Sequence, residues 1–339
     1  MTWMVPLLLV GGMVLLVAGA ESLVRGAGAL ALRLGLSPLV VGLTVVAFGT
    51  SAPELAVSVS AALRGTADLC VGNVVGSNIA NIALILGISA MIMPIAVHGS
   101  VVKREAPVML GVSALLPALA LLGAAGSGTL SGGSIARWEG MLFVAIGVAY
   151  TAFLIFMSKR ERPEVVAAYA AGVVREEPLE VSSRRPLMVD LLLIGGGIGL
   201  LALGSDWFVD GAVAVARALG VSDLVVGLTV VAVGTSLPEL ATSVVAALRK
   251  QPDMSVGNIV GSNIANLAFI LGLTATVTPL SISREVMVRD IPVMLAVSLL
   301  CIPLMHTGKR IARPEGLILF LIYIGYTAWL VVPALGSAP

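Results

Sequence analysis

Two nearly identical hexapeptides carry the acidic residues of this chain that are best placed for chemistry. GTSAPE ends in Glu54 and GTSLPE ends in Glu239, and each hexapeptide lies in the middle of a long apolar segment. A carboxylate buried in such a segment costs about 3 kcal/mol or more unless it faces a partner or a water-filled cavity. The proline before each glutamate removes a backbone donor and clashes with the carbonyl four residues earlier. This predicts a kinked, interrupted helix with free carbonyl oxygens.

A second polar motif follows each hexapeptide. The decapeptides GNVVGSNIAN and GNIVGSNIAN end in Asn81 and Asn266. In each decapeptide a serine, Ser77 or Ser262, precedes the last asparagine by four residues, so the two side chains share one helix face. The two motifs together offer carboxylate, hydroxyl and amide oxygens, an all-oxygen set that suits Ca²⁺ or Na⁺. No histidine or cysteine cluster accompanies them in the sequence, which argues against zinc, copper or nickel.

The composition places these motifs in a membrane protein. Hydrophobic residues make up 58% of the chain and charged residues 12%. Apolar stretches of about 20 residues, long enough to cross a bilayer, recur from end to end. The net charge of +1 excludes a strong nucleic-acid-binding surface. We expect Ca²⁺ and Na⁺ as substrates and the lipid bilayer as surroundings, with no nucleic acid, no obligate protein partner and no cofactor. Cys70 and Cys301 lie in apolar surroundings, which predicts a packing role.

The chain is a duplication of one unit. Residues 41–64 align without gaps to residues 226–249 at an offset of 185, and 20 of the 24 positions are identical. Residues 72–87 align to residues 257–272 at the same offset, with 13 of 16 identical. Both polar motifs therefore occur once in each copy, at equivalent positions.

Each copy contains five hydrophobic segments. The segments are residues 4–32, 37–64, 69–96, 103–125 and 138–158 in the first copy, and 187–217, 222–248, 254–280, 288–306 and 314–334 in the second. Because five is odd, the second copy must enter the membrane from the opposite side. The prediction is an all-α integral membrane protein of ten transmembrane helices, arranged as two inverted five-helix repeats at 1–158 and 187–339. A polar, cytoplasmic linker at 159–186 joins them.

The distribution of lysine and arginine predicts the orientation. With the linker in the cytoplasm, 15 cationic residues lie on the cytoplasmic side and five on the other. Loops rich in lysine and arginine face the cytoplasm. We therefore expect a multi-pass protein of the cell membrane with both termini outside.

Other charged residues indicate structural pairs. Glu21 and Asp206 occupy equivalent positions in the first helix of each copy, and Arg25 follows Glu21 by one turn. This spacing favours a Glu21–Arg25 ion pair over a role in ion binding. Two further pairs of adjacent residues are expected at loop edges: Arg104–Glu105 and Arg289–Asp290.

Each motif taken singly has an ordinary structural explanation. Proline kinks and helix-face asparagines commonly serve the packing of membrane helices. Packing alone gives no reason to keep two buried acids at symmetry-related positions, however, and interrupted helices in inverted repeats are how many transporters build a midplane site. The duplication therefore favours a functional site.

The doubled motif resembles the alpha repeats of the sodium/calcium exchanger family, within the cation/calcium antiporters. The resemblance extends from Gly42 to Glu54, from Gly72 to Asn81 and over both copies. It implies that ions are held by two backbone carbonyls and ten side chains. The carbonyls would be those of Ala47 and Ala232, and the side chains those of Thr50, Ser51, Glu54, Ser77, Asn81, Thr235, Ser236, Glu239, Ser262 and Asn266.

The resemblance also implies alternating access, in which the first and sixth helices slide past a fixed core. Some members of the family carry aspartate where Asn266 stands, so this site has two carboxylates rather than three. The short linker leaves no room for the large cytoplasmic calcium-sensing region of animal members. The implied activity is exchange of Ca²⁺ for Na⁺ by a protein that is not an enzyme.

Three alternatives remain open at this point. A buried glutamate could carry a proton in place of Na⁺, which would make the chain a proton/Ca²⁺ antiporter, and potassium dependence is a related possibility. An intramembrane hydrolase would use Ser51 or Ser236 as nucleophile. Its weakness is that both histidines fall near segment ends. A structural protein without transport is the remaining alternative.

Overall fold

The computed structural model describes most of the chain. The described residues are 3–65, 67–127, 132–170, 186–219, 226, 229–230 and 232–336.

The first half of the chain folds into six helices and two short strands. Their bounds are α1 Met4–Leu34, α2 Pro38–Thr50, α3 Ala52–Leu63, α4 67–92, β1 Ile95–Ala96, α5 101–127, β2 Gly132–Ile135 and α6 Arg137–Ala170. Gly35 ends α1 in a left-handed conformation with φ of 63°, which a residue without a side chain adopts at low cost. The hydroxyl of Ser37 then accepts the Val40 N–H and caps α2.

The second half repeats this order. Its elements are α7 Leu187–Ala218, α8 Ala232–Gly234, α9 Leu237–Leu248, α10 Pro252–Val277, β3 Leu280–Ser283, α11 286–306, β4 Arg310–Ile311 and α12 Arg313–Gly336. Five helices whose bounds lie in the described residues contain a π-helical turn: α2 at Gly42–Val46, α4 at Ala80–Leu86, α5 at Val101–Glu105, α10 at Asn266–Leu271 and α11 at Val286–Asp290. Residues 229–230 are π-helical as well. The sequence pattern does not predict these turns.

Eight helices of the described chain are long and apolar enough to cross a membrane, and a ninth span forms if α2 and α3 are counted together. These two helices meet at a bend of 47°, as the proline predicted. Their counterpart in the second copy is described only in part, as α8 and the short apolar helix α9. The protein is therefore an all-helical, multi-pass membrane protein with eight or nine spans in its described part, and the tenth stays a prediction.

Helices α1 and α7 cross at backbone contact and run antiparallel. Gly12 faces Gly204, and a Cβ atom on Gly12 would lie 2.8 Å from the Gly204 carbonyl oxygen. Gly19, seven residues later in α1, faces Gly197, seven residues earlier in α7. A Cβ atom on Gly19 would again lie 2.8 Å from the facing carbonyl oxygen. Only glycine permits the two backbones to lie this close. In lipid the hydrophobic effect does not drive apolar helices together, so the close van der Waals packing holds α1 and α7 in contact.

The short strands pair across the two copies. Strand β1 pairs with β4 and β2 pairs with β3, both antiparallel. Helix α5, about 40 Å long, separates β1 from β2 along the chain. The two strand pairs therefore lie at opposite ends of this helix.

The centre of the molecule is formed by α4 and α10, the most buried of the long helices. Cys70 in α4 and Cys301 in α11 are buried and free, in keeping with their predicted packing role. Helix α6 continues to Ala170, beyond the predicted start of the linker at 159.

The predicted structural ion pairs are present. Glu21 pairs with Arg25 one turn later. Glu105 and Asp290 pair with the arginines before them, but they lie inside the opening π-helical turns of α5 and α11 rather than in loops. Both acids are buried, and each also accepts a hydrogen bond from a tyrosine hydroxyl, of Tyr150 and Tyr326 respectively.

Candidate cation site

The first component of the site is a pair of matching breaks in the helical backbone. Ser51, with φ of −81° and ψ of 9°, separates α2 from α3, and Ser236, with φ of −92° and ψ of 7°, precedes α9. Pro53 and Pro238 lie in the first turn after each break, where the missing N–H breaks no helical hydrogen bond. The break therefore places the serine of each hexapeptide outside the regular helix and the glutamate in the first turn beyond it.

Two carbonyls near these breaks already have hydrogen-bond donors. The Ser51 N–H donates to the Ala47 carbonyl at 3.1 Å, and the Thr50 hydroxyl lies 3.3 Å from the same oxygen. In the second copy, the Ser205 hydroxyl of α7 donates to the Gly234 carbonyl at 2.6 Å. The proline-freed carbonyl of this copy is therefore satisfied by a side chain that the sequence analysis did not single out.

Each glutamate accepts a hydrogen bond from the serine of the other copy's hexapeptide. The Ser51 hydroxyl donates to Oε1 of Glu239 at 2.9 Å, and the Ser236 hydroxyl donates to Oε1 of Glu54 at 3.2 Å. Glu54 is 1% exposed and Glu239 is fully buried. The serine of each copy thus contacts the carboxylate of the other, and the two hexapeptides meet at one candidate site.

Several oxygens of this region are buried and accept no hydrogen bond within the described chain. They are Oε2 of Glu54, Oε2 of Glu239, Oδ1 of Asn81, Oδ1 of Asn266 and Oγ of Ser262. An unsatisfied buried acceptor costs about 1–3 kcal/mol, and a charged one costs more. All five belong to residues that the sequence predicted as ligands. Five other buried atoms of the described chain, among them Oγ1 of Thr242 and Oδ1 of Asp190, also lack a partner and lie outside this set.

The remaining predicted ligands are mostly buried, and several lie beside a break or a π-helical turn. Ala47, Thr50 and Ser77 are buried, with 0%, 1% and 2% exposure. Thr235 is half-buried, and Ala232 begins the short helix α8. Asn81 and Asn266 lie at the start of the π-helical turns of α4 and α10, a distortion that often marks functional sites.

Two asparagines outside the predicted set hold the helices that follow the breaks. The Asn73 amide donates to the Glu54 carbonyl at 3.3 Å and to the Ser58 hydroxyl at 3.0 Å. Asn258 makes the equivalent bonds in the second copy, to the Glu239 carbonyl at 3.4 Å and to a serine hydroxyl at 3.0 Å. Their identity in both copies at the offset of 185 was the signal that could have identified them.

The histidines lie away from these serines. His98 is exposed beside β1, and His306 is exposed at the end of α11. The hydroxyls of Ser51 and Ser236 instead donate to carboxylates. The geometry does not support a serine–histidine pair.

Comparison with known proteins identifies the family. The family model described as sodium/calcium exchanger protein matches residues 4–156 and 189–332. The chain belongs to the sodium/calcium exchanger family. Both polar motifs of each copy fall inside the matched residues, so the exchanger match covers the whole candidate site.

Relatives of this chain match most of its length. The sodium/calcium exchanger MaX1 of Methanosarcina acetivorans is 32% identical over 302 residues, which are 83% of this chain and 85% of the relative. The inner membrane protein YrbG of Escherichia coli is 36% identical over 285 residues, 84% of this chain and 83% of the relative. A structure of the sodium-calcium exchanger NCX_Mj matches with a TM-score of 0.76 and 30% identity, covering 97% of this chain and 99% of that one. These relatives are transporters and membrane proteins rather than enzymes.

Proposed function

We infer that this chain is a secondary active antiporter that exchanges Ca²⁺ for Na⁺ across the cell membrane at one midplane site. The observation that carries the proposal is the set of five buried oxygens without a hydrogen-bond donor. Buried carboxylate and amide oxygens that accept no hydrogen bond in the described chain are suited to bind a cation. The proposed ligand set is Ala47, Thr50, Ser51, Glu54, Ser77, Asn81, Ala232, Thr235, Ser236, Glu239, Ser262 and Asn266.

The chemistry of this set favours the two ions. All of its donor atoms are oxygens, and Ca²⁺ takes six to eight oxygen ligands in flexible geometry. Two ionised glutamates bring a charge of about −2, which one Ca²⁺ or more than one Na⁺ balances. Hydroxyl and amide oxygens complete the coordination without adding charge. The names of the relatives MaX1 and NCX_Mj as sodium/calcium exchangers agree with this choice of ions.

The same charges explain why transport would be an exchange. Without cations, Glu54 and Glu239 would face each other with like charge in a site of low dielectric constant, where repulsion is strong. An empty carrier would therefore not change sides readily. Each inward step with one ion requires an outward step with the other, so net flux of either ion alone is suppressed.

The proposed architecture is ten spans in two inverted repeats. Two observations support it. The equivalent helices α1 and α7 run antiparallel, as the first helices of oppositely inserted repeats must. The equivalent strands β1 and β3 belong to different strand pairs, which are separated by the length of α5. A polar linker on the cytoplasmic side and external termini complete the proposed topology.

An asymmetry between the copies supports alternating access. On one face of α9, Val245 belongs to a hydrophobic cluster to which α1 contributes the most residues, and Leu237 and Ala241 pack against this cluster. The equivalent face of α3 is not packed in this way: Ala52 and Ala56 line an open groove of about 640 Å³. The two helices have nearly identical sequences, yet this face is covered in α9 and open in α3. If α9 became open and α3 became covered, the site would open to the opposite side of the membrane.

Uptake of radioactive Ca²⁺ into proteoliposomes tests the proposal. Gradients of Na⁺, K⁺ and H⁺ are imposed one at a time, and Glu54→Gln protein serves as the matched control. We expect an outward Na⁺ gradient to drive uptake at clamped pH without K⁺. Uptake driven by the proton gradient in the absence of Na⁺ would favour the proton/Ca²⁺ alternative, and an absolute requirement for K⁺ the potassium-dependent one. Uptake that is indifferent to Na⁺ would overturn the proposal.

A further inference from the structure

Four buried asparagines link the two copies where α4 and α10 meet. Asn78, Asn81, Asn263 and Asn266 are each at most 1% exposed. The Asn81 amide donates to Oδ1 of Asn263 at 2.9 Å, and the Asn266 amide donates to Oδ1 of Asn78 at 3.0 Å. Each predicted ligand thus bonds to an asparagine of the other copy, and neither Asn78 nor Asn263 belongs to the proposed ligand set.

Backbone carbonyls fix how the side-chain amides of Asn78 and Asn263 are oriented towards Asn266 and Asn81. The amide nitrogen of Asn78 donates to the Asn263 carbonyl at 3.2 Å, and that of Asn263 lies 3.4 Å from the Asn78 carbonyl. A methionine sulfur lies near each of these nitrogens as well, from Met294 and Met109 respectively. A backbone carbonyl can only accept. The nitrogen of each amide must therefore point to it, and the oxygen must point away.

The orientation of Asn78 and Asn263 in turn fixes the orientation of the proposed ligands Asn266 and Asn81. Because Asn78 presents its oxygen to Asn266, only the Asn266 nitrogen can form that hydrogen bond. The Asn266 oxygen is then turned to the other side, where it is one of the five oxygens without a donor. The same steps lead from Asn263 to the unpartnered Oδ1 of Asn81. The positions of oxygen and nitrogen in both ligand amides therefore follow from fixed backbone carbonyls, which can only accept hydrogen bonds.

We propose that Asn78 and Asn263 are positioning residues that hold the amide oxygens of Asn266 and Asn81 towards the transported cation. The proposal rests on the proposed cation site. Without these partners, a ligand amide could rotate and present its N–H₂ group, which repels a cation. The crossing means that each copy orients the amide ligand of the other, as it does for the glutamates.

The test is a set of double-mutant cycles on Ca²⁺ binding. Equilibrium binding of radioactive Ca²⁺ is measured on the purified full chain in Na⁺-free buffer, with thermal unfolding as a check of folding. Asn78→Leu and Asn263→Leu keep the side-chain shape and remove the hydrogen bonds. We expect each to raise the Kd about three- to tenfold, the effect of one typical hydrogen bond. If one of the two variants does not fold, the other carries the same test.

The pattern of coupling separates positioning from a structural role. Asn78→Leu should have no further effect once Asn266→Ala is present, whereas its effect should multiply with that of Asn81→Ala. Asn263→Leu should show the reverse pattern. Effects that multiply in all combinations, or coupling of Asn78 to Asn81, would overturn the positioning role while leaving the site in place. Unchanged binding in Asn81→Ala and Asn266→Ala would overturn the proposed site and the positioning role with it.

Discussion

A salt bridge joins α1 to the end of α9, and we predict an equivalent salt bridge between α7 and the end of α3. Glu21 of α1 binds both Arg25 of its own helix and Arg249 at the end of α9. The Arg249 guanidinium makes two bonds, one of them from Nε to Oε2 of Glu21 at 3.0 Å. This pair joins α1 to the helix whose face α1 covers.

The equivalent residues of the other copy have complementary charges. Asp206 and Asp210 of α7 correspond to Glu21 and Arg25, and Arg64 at the end of α3 corresponds to Arg249. In the described part of the chain, all three are exposed and form no ion pair. We predict that Arg64 pairs with the two aspartates when α7 covers the open face of α3, in the state that faces the opposite side.

The size of the effect follows from exposure. The side chains of Glu21 and Arg249 are 25% and 45% exposed, so solvent screens the pair and its contribution is about 0.2–1 kcal/mol. Arg249→Gln removes it from one state only. The ratio of the two states should therefore shift by about 1.4- to fivefold towards the one open on the Arg249 side. Arg64→Gln should shift the ratio in the opposite direction.

Cysteine labelling reads this ratio. Ala56 on the open face of α3 and Ala241 on the covered face of α9 are equivalent positions, and the native cysteines are buried. Each is replaced by cysteine in turn, and the maleimide reaction rate is measured. In Arg249→Gln, the rate at position 241 divided by that at position 56 should rise by the predicted factor, and in Arg64→Gln it should fall. A change of the same sign in both variants would refute the reasoning.

Three further predictions address the site and the topology. Glu54→Gln and Glu239→Gln should each abolish Na⁺-driven Ca²⁺ uptake while the protein still folds, because each removes half of the site's charge. Thr307→Cys should react with an impermeant reagent only from the cytoplasm and Ser281→Cys only from outside. Thr307 lies just before β4 and Ser281 lies within β3, and these strands belong to different strand pairs. Asn266→Asp should make Ca²⁺ uptake sensitive to acid between roughly pH 6 and 8, because clustered carboxylates tend to share a proton.

Each of these predictions has an outcome that contradicts it. Near-normal flux in either glutamine variant would show that the glutamates do not share one site. Labelling of both cysteines from the same side would exclude the inverted arrangement. A pH profile of Asn266→Asp that superimposes on that of the parent protein would remove this residue from the ligand set.

The sequence predicted the parts of the site that depend on local pattern. The hexapeptides place Glu54 and Glu239 after a proline, and the bend of 47° between α2 and α3 follows from that chemistry. The offset of 185 between the copies showed that every ligand has an equivalent. The short strands and the π-helical turns have no comparable signature, because they depend on how neighbouring elements pack.

Contacts between the copies lay beyond local pattern. The hydrogen bond from Ser51 to Glu239 joins residues 188 positions apart. The sequence would fit a hydrogen bond between the serine and the glutamate of the same copy equally well. The same holds for Asn78 and Asn263, which read as helix-packing residues until their carbonyl partners are known. We interpret the asymmetry between α3 and α9 as a property of one conformational state. Two helices with nearly the same sequence cannot reveal which of them is covered.

We propose that Ca²⁺ and Na⁺ compete for one site built by both copies. Equilibrium binding of radioactive Ca²⁺ to the purified chain, titrated with Na⁺, is the decisive experiment. We expect one bound Ca²⁺ per chain, complete displacement by Na⁺, and loss of binding in both Glu54→Gln and Glu239→Gln. Ca²⁺ that stays bound at saturating Na⁺, or binding that survives in either variant, would contradict it.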